Sequence, residues 1–372
     1  MNDILPHMTI YNLMYASFFL VTALFFSYIL NRYISISPMG KHNDLSLEGL
    51  RGLACILVFI NHSYHAVSAI GIKSPVFNIE PASAYGKMGS FGVAIFFCLT
   101  GFLFSSAIKS GKIDILFFKK RIYRLLPAYL FVATLVLFIF IIQKYARITS
   151  FNDVLIILQR VYGFGFWGSG IKLGNTLDGG LNVVIWTLPY EWKFYAAIPF
   201  LACAYAIKPL KIALIPFALI VMYLGYQSDT ILWTYFITGF IASFVSKTEN
   251  RIMKLISYIL LIIFFTYAVY GDFKAYSFEM YIYISLFFII YLYCRPSLLE
   301  YKIISSIGII SYSLYLLHQP VMNLTFRAIS YFVDLKSIST KEFMSIQALS
   351  IVIAILTSMF LYNKIEKKFR IK

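Results

Sequence analysis

The segment RLLPAYLFVATLVLFIFIIQ, residues 124–143, decides the class of fold. A hydrocarbon layer about 30 Å thick is crossed by about 20 helical residues, and this run has that length with a single charged side chain. Similar runs recur along the chain, and of its 372 residues 60% are hydrophobic and only 13% are charged. Soluble domains carry about twice that share of charge. The sequence therefore predicts an all-α integral membrane protein.

About eleven segments have the length and apolar composition of transmembrane helices. They are 9–31, 50–70, 89–108, 124–143, 181–206, 210–226, 230–246, 252–270, 277–294, 303–328 and 343–363. The sequence contains no internal repeat and no linker between them, so we expect a single bundle.

The Lys and Arg residues indicate how this bundle is oriented. Alternate connections, such as 109–124, 247–254 and 364–372, hold about twice as many of them as the connections on the other side. Because cytoplasmic loops are enriched in basic residues, we predict an outside N-terminus and a cytoplasmic C-terminus. The net charge of +16 is spread between apolar runs, so nucleic acid is not an expected partner.

The cysteines do not suggest a metal or disulfide site. All four lie inside apolar runs and show no CxxC or Cys/His ligand spacing. They are Cys55, Cys98, Cys203 and Cys294. We expect no metal centre and interpret these residues as small core side chains.

The segment 45–66 places two basic side chains on one face of a predicted helix. Arg51 and His62 are eleven residues apart. At about 100° per residue this spacing returns to within about 20° of the same direction, about 16 Å further along the axis. We interpret Arg51 as a clamp for an anionic group at the membrane surface and His62 as a general base deeper in the membrane. The structural alternative is a snorkelling arginine above a packing histidine.

The segment 181–200 carries an acid at membrane depth. Glu191 shares a helical face with Thr187 and Tyr195, four residues before and after it. An acid here should face the protein interior or a wet cavity. It could orient a histidine, hold a sugar hydroxyl or neutralise a nearby cation.

The segment 305–321 predicts a polar stripe on an otherwise apolar helix. Ser311, Tyr315 and His318 lie at positions i, i+4 and i+7. Such a stripe serves either a functional site or hydrogen bonds to neighbouring helices.

Two further regions are candidates for substrate contacts. Arg121 lies just before the span at 124–143, and Arg124 is its first residue. Both are suited to phosphate oxygens, although they could equally be a cytoplasmic anchor. The longest connection, 144–180, is rich in Gly and aromatic residues, among them Trp167. It could contact a substrate outside the membrane or belong to an interfacial aromatic belt.

Taken together, these segments resemble the bacterial integral membrane acyltransferases known as acyltransferase family three. The matching segments are EGLRG at 48–52 with His62, GVAIFFCLTGFL at 92–103, RIYRLLP at 121–127, WTLPYEWKFYAAIP at 186–199 and SYSLYLLHQP at 311–320. They occur in the family's order between about residues 45 and 364, with Thr100 where the family usually has Ser.

The resemblance implies an enzyme that transfers an acyl group, usually acetyl, from cytoplasmic acyl-CoA to a sugar hydroxyl of a surface or lipid-linked glycan in the bacterial inner membrane. Acetyl-CoA is then a donor substrate, and no permanently bound cofactor is expected. We expect His62 to act as general base with help from Glu191 or His318. Arg51, Arg121 and Arg124 would bind the donor.

Four residues are weaker candidates for acceptor contacts or supporting roles. They are Tyr195, Ser311, Tyr315 and Trp167. The oligomeric state, the glycan and the hydroxyl position are left open by the sequence.

The resemblance also implies a division of the chain. Residues 1–44 would form an additional transmembrane helix with a cytoplasmic link, 45–364 the acyltransferase domain of about ten spans, and 365–372 a basic tail. We expect no C-terminal soluble esterase-like domain.

The main alternative is a transporter of glycan or lipid-linked intermediates, because a buried His and Glu also suit a proton relay. A scaffold in glycan assembly would explain the anchors but not the motifs.

Overall fold

The computed structural model describes residues 10–36, 44–71, 83–114, 116–173, 176–178, 181–228 and 231–369. The predicted outside N-terminus and the last three residues of the predicted basic tail lie outside the described residues. The α-helices are α1 (Ile10–Tyr33), α2 (Leu45–Tyr64), α3 (Ala66–Ala69), α4 (Ser83–Ser110), α5 (Phe117–Lys144), α6 (Phe151–Tyr162), α7 (Leu188–Ala206), α8 (Lys208–Gln227), α9 (Thr234–Ala242), α10 (Arg251–Tyr270), α11 (Phe278–Cys294), α12 (Lys302–Ile309), α13 (Ser311–Ile329), α14 (Thr340–Leu361) and α15 (Lys367–Phe369).

The all-helical membrane bundle predicted from composition is confirmed, and each of the eleven predicted segments contains helix. Within the described ranges, seven helices are long and apolar enough to cross a membrane by length and composition: α1, α2, α4, α5, α8, α10 and α14. The apolar helix α11 is somewhat shorter, with 17 residues.

Three of the predicted spans differ from the observed helices. The segment 230–246 contains only the nine residues of α9, which rise about 14 Å and cannot cross the hydrocarbon layer alone. The segment 303–328 is divided at Ile310 into α12 and α13. The segment 181–206 begins with a 3-10 turn, Val183–Thr187, before α7. Pro189 lies in the first turn of α7, where its ring favours a helix start.

The long connection 144–180 contains secondary structure that the apolar pattern did not predict. Helix α6 begins with a reciprocal capping box between Ser150 and Asp153. The strands β1 (Ile171–Leu173) and β2 (Thr176–Asp178) then form a two-stranded antiparallel hairpin. None of these elements is long enough to span, so the segment remains a connection between α5 and α7.

Glycines allow α2 to approach its neighbours at backbone distance. A Cβ atom at Gly308 of α12 would lie 1.8 Å from the carbonyl oxygen of Glu48, and one at Gly52 would lie 2.8 Å from that of Ile304. Helices in lipid associate through van der Waals packing, which small residues permit, because lipid gives no hydrophobic driving force between them. The EGLRG segment therefore fixes the contact between α2 and α12.

This contact generates a prediction about stability. Gly308→Ala should force α2 and α12 apart, at a cost on the order of 1–3 kcal/mol for overpacking. The melting temperature of the purified protein in detergent should fall by several degrees. Gly86→Ala in α4 is the matched control, because no atom lies within 4 Å of a Cβ atom there. Equal melting temperatures for the two variants would show that the close contact does not limit stability.

Candidate functional site

A cavity at the Arg51 end of α2 is lined by three arginines and a glutamate. We call it the arginine cavity, and it encloses about 820 Å³, including space open to its surroundings. Its polar lining residues are Arg51, Thr100, Arg121, Arg124, Thr187, Glu191, Tyr195, Ser311, Tyr312 and Tyr315. Because they come from α2, α4, α5, α7, α13 and the turn before α7, the bundle brings together most of the residues singled out from the sequence.

Arg51 is held in this cavity by the acid of its own motif. Its Nη1 atom donates to both carboxylate oxygens of Glu48, at 2.7 and 2.6 Å. Both side chains are only 13% exposed, so the ion pair is poorly screened by solvent. Both bonds to Glu48 use Nη1, so Glu48 does not engage Nη2 and Nε, which can donate to a ligand.

Arg121 and Arg124 face the same space from α5. The guanidinium of Arg121 lies 4.9 Å from the ring centroid of Phe104, which is cation–π distance. The Nε atom of Arg124 is buried and has no hydrogen-bond partner in the described part of the chain. A buried donor without a partner is costly, so an anionic ligand at this position would remove an existing penalty.

Glu191 lies among these cations, away from the histidines. The Tyr195 hydroxyl donates to Glu191 Oε2 at 3.0 Å. The guanidiniums of Arg124, Arg51 and Arg121 are near enough to attract the carboxylate electrostatically. Of the three roles that the sequence left open for Glu191, neutralisation of nearby cations fits this position best, and Tyr195 orients the carboxylate.

A second cavity surrounds the other end of the Arg51–His62 face. We call it the histidine cavity, and it encloses about 1010 Å³, including open space. Its polar and aromatic lining residues are Asn61, His62, Lys87, Ser90, Trp186, Phe273, Lys274, Tyr276 and Tyr315. Arg51 and His62 therefore share one helical face but open into different cavities.

His62 is hydrogen-bonded to the other candidate histidine. His318 Nε2 lies 3.0 Å from His62 Nδ1, and His318 Nδ1 lies 3.1 Å from the carbonyl oxygen of Leu314. A carbonyl only accepts, so His318 carries its proton on Nδ1 and its Nε2 accepts from His62 Nδ1–H. This assignment leaves the Nε2 lone pair of His62 available. His62 is half-buried, whereas His318 is 1% exposed.

The two cavities meet at Val93 and Tyr315, which line both. The Tyr315 hydroxyl donates to the carbonyl oxygen of Val184 at 3.0 Å and lies 2.9 Å from Thr187 Oγ1. Ser311 faces the arginine cavity and His318 contacts His62, so the polar stripe of α13 passes from one cavity to the histidine pair.

One candidate residue lies outside this arrangement. Trp167 is 59% exposed and lines neither cavity. Its role in substrate contact stays a prediction. Within the described residues, no three His, Cys, Asp or Glu side chains are grouped so that they could hold a metal ion.

Glu366 is a residue that the sequence analysis missed. It belongs to the segment 365–372 that the sequence predicts as a basic tail, but it is 2% exposed and accepts a hydrogen bond of 2.6 Å from Ser313 of α13. It lies in a π-helical turn, Tyr362–Glu366, that follows α14. The only sequence signal is a single acid among basic residues at the end of an apolar run.

The fold and these cavities define a multi-pass α-helical membrane protein with a buried polar site. Residues 44–363 match the family described as "Acyltransferase domain", which is acyltransferase family three. The chain belongs to this family, as the motifs predicted.

Curated relatives share part of the chain. The O-acetyltransferase OatA of Staphylococcus aureus, in strains NCTC 8325, COL and MRSA252, is 26% identical over 219 residues. The matched region covers 56% of this chain and 33% of the relative, so the chain spans about a third of the length of these relatives. No solved structure matches the chain.

The ion pair in the arginine cavity generates a prediction about stability. Glu48→Ala should lower the melting temperature because it leaves Arg51 as a poorly solvated, unpaired charge, and Arg51→Ala should do the same to Glu48. The double variant should lose less than the sum of the two, with a coupling on the order of 1–3 kcal/mol. Thermal unfolding of the four proteins in one detergent measures this coupling. Strict additivity would mean that the two side chains do not stabilise each other.

Proposed function

We propose that this acyltransferase-family protein is an O-acyltransferase of the bacterial inner membrane. It moves an acyl group, most simply acetyl, from cytoplasmic acyl-CoA to a hydroxyl of a surface or lipid-linked polysaccharide. The observation that carries the proposal is the His62–His318 pair, because His62 lines a cavity that meets the arginine cavity at Val93 and Tyr315. One cavity has the cations that a polyphosphate donor needs, and the other has a basic imidazole nitrogen.

The donor would enter the arginine cavity. Arg121 and Arg124 offer guanidinium donors to the phosphates, with Arg51 beside them. The excess of basic residues in the connections on that side supports a cytoplasmic position for the cavity. The thioester would then extend along α13 towards Tyr315 and Val93, which border the second cavity.

The acceptor hydroxyl would approach from the histidine cavity. His62 Nε2 takes the hydroxyl proton while the oxygen forms a bond to the thioester carbonyl carbon. The tetrahedral intermediate then collapses, the carbon–sulfur bond breaks, and the proton passes from His62 to the departing sulfur. His318 acts as a positioning residue, because its acceptor Nε2 holds the proton of His62 on Nδ1 and stabilises the imidazolium that forms.

The family assignment supports transfer over transport. Two cavities separated by few side chains are also compatible with a carrier of glycan intermediates. Consumption of acyl-CoA by the purified protein would separate the two functions, since a carrier leaves the thioester intact.

The first test concerns the base. His62→Ala should lower the rate of acetyl transfer about 10²- to 10⁴-fold, the usual contribution of a general base, while acetyl-CoA binding is unchanged. Rate and binding are measured per folded protein. His65→Ala, three residues further along and exposed, is the matched control. Normal turnover by His62→Ala would exclude His62 as the base.

The second test concerns the donor. Arg121→Ala combined with Arg124→Ala should raise the KM for acetyl-CoA at least about tenfold, because charge-assisted hydrogen bonds to phosphate are lost. Lys119→Ala is the control, since Lys119 is an exposed cation of the same cluster that does not line the cavity. If the double arginine variant keeps a normal KM for acetyl-CoA but inserts poorly into the membrane, the arginines are topological anchors and the donor assignment is wrong.

A further inference from the structure

The histidine cavity differs from the arginine cavity in the charges of its lining. Lys87 and Lys274 line it, and its described lining residues include no Asp or Glu. Lysines on this side of the bundle are exceptions to the charge bias that orients the protein. Two of them beside one cavity therefore need a local explanation.

Lys87 is a buried cation near the start of α4. It lies on α4 and is only 4% exposed. Its Nζ atom donates to the carbonyl oxygen of Gly271 and lies 5.0 Å from the ring centroid of Phe273. The nearby carboxylate of Asp272 attracts it electrostatically. An ammonium group has three N–H donors, so these contacts position the lysine without using all its hydrogen-bonding capacity.

Lys274 adds a second positive charge from the loop between α10 and α11. Its side chain is exposed and lines the same cavity as Lys87. Two lysines and no Asp or Glu are among the described lining residues, and Asp272 supplies one carboxylate near Lys87, so the cavity lining keeps a positive surplus.

Aromatic side chains form the adjoining wall. Trp186 and Tyr276 make an edge-to-face contact with ring centroids 5.8 Å apart, and Phe273 lies beside Lys87. Aromatic faces pack on the apolar faces of a sugar ring, while Asn61 can donate to its hydroxyl groups. The wall is therefore suited to a sugar, and the lysines are suited to a negative charge that the sugar carries.

We propose that the histidine cavity selects an acidic glycan, binding a carboxylate or phosphate of the acceptor through Lys87 and Lys274. This inference rests on the proposed function, in which the same cavity presents a hydroxyl to His62. The anionic group would fix the orientation of the sugar, and the neighbouring hydroxyl would then face the imidazole.

The test compares matched oligosaccharides on the full chain in nanodiscs. The probes are a tetrasaccharide with one hexuronic acid, the same compound with its carboxyl reduced to a primary alcohol, and a form carrying a phosphate monoester at that carbon. Calorimetry should give at least tenfold tighter binding for an anionic form than for the reduced form. The tighter of the two anionic forms identifies the natural group as carboxylate or phosphate.

Variants connect this preference to the lysines. In Lys87→Gln combined with Lys274→Gln, the preference should fall to within about twofold, because the attractive charges are gone. If that variant folds poorly, Lys274→Glu on the exposed loop should reduce or reverse the preference alone. Lys336→Gln, an exposed lysine outside both cavities, should change nothing.

Two results would overturn the inference: equal affinity for the anionic and reduced forms, or an undiminished preference in the lysine variants. Acetyl-CoA turnover is measured separately in each variant. Equal affinity of the unmodified protein for the anionic and reduced forms, together with intact His62-dependent transfer, would defeat only this inference. An intact anion preference with no acyl transfer under any condition would instead defeat the proposed function.

Discussion

The close packing of α2 on α12 and α13 is the contact on which both cavities depend. Gly308 and Gly52 bring the backbones together, and the same approach places His62 within 3.0 Å of His318. It also brings Cys55 Sγ within 3.5 Å of the Ser311 carbonyl oxygen, next to the break between α12 and α13. If α2 and α13 moved about 1 Å further apart, the two histidine nitrogens would lie beyond hydrogen-bond distance. The tautomer of His62 is therefore a consequence of helix packing as much as of its own side chain.

The arginine cavity shows how acids lower the cost of clustering cations in a largely buried site. Three guanidiniums face Glu191, and Glu48 pairs with Arg51. Three positive and two negative charges leave a surplus of one, which is far less costly to bury than three unpaired cations. The acids therefore stabilise this cluster, while the buried Nε of Arg124 has no acceptor among the described residues. A ligand with several negative charges can complete this partly neutralised site.

The sequence predicted features that lie within one helix better than those that join helices. The spacing of Arg51 and His62 predicts that they share one face of a helix, because 3.6-residue periodicity is a local property. Both histidines were chosen as candidates, but their hydrogen bond joins residues 256 positions apart, and no local pattern specifies such a pair. Glu48 is different, since an acid three residues before Arg51 could have been predicted to pair with it.

The apolar pattern also does not predict where a helix is interrupted. Hydropathy identifies a long run but not where its backbone changes conformation, so α12 and α13 were predicted as one span. Glu366 was placed in the basic tail because its neighbours in sequence are lysines. Its burial depends on Ser313, which lies on another helix. Buried polar contacts of this kind follow from tertiary packing, which a single sequence does not reveal.

The 3-10 turn before α7 couples the two cavities. Thr187 lines the arginine cavity, and Trp186, the preceding residue, lines the histidine cavity. The turn is attached to α13 twice, through Val184 N–H donating to Gln319 Oε1 at 3.3 Å and through the Tyr315 hydroxyl. Gln319 directly follows His318, so a displacement of the turn would disturb both cavities and the histidine pair together. Because its backbone hydrogen bonds have poorer geometry than those of an α-helix, these contacts with α13 largely determine its position. The wall between the two cavities is consequently held by the same helix that carries His318.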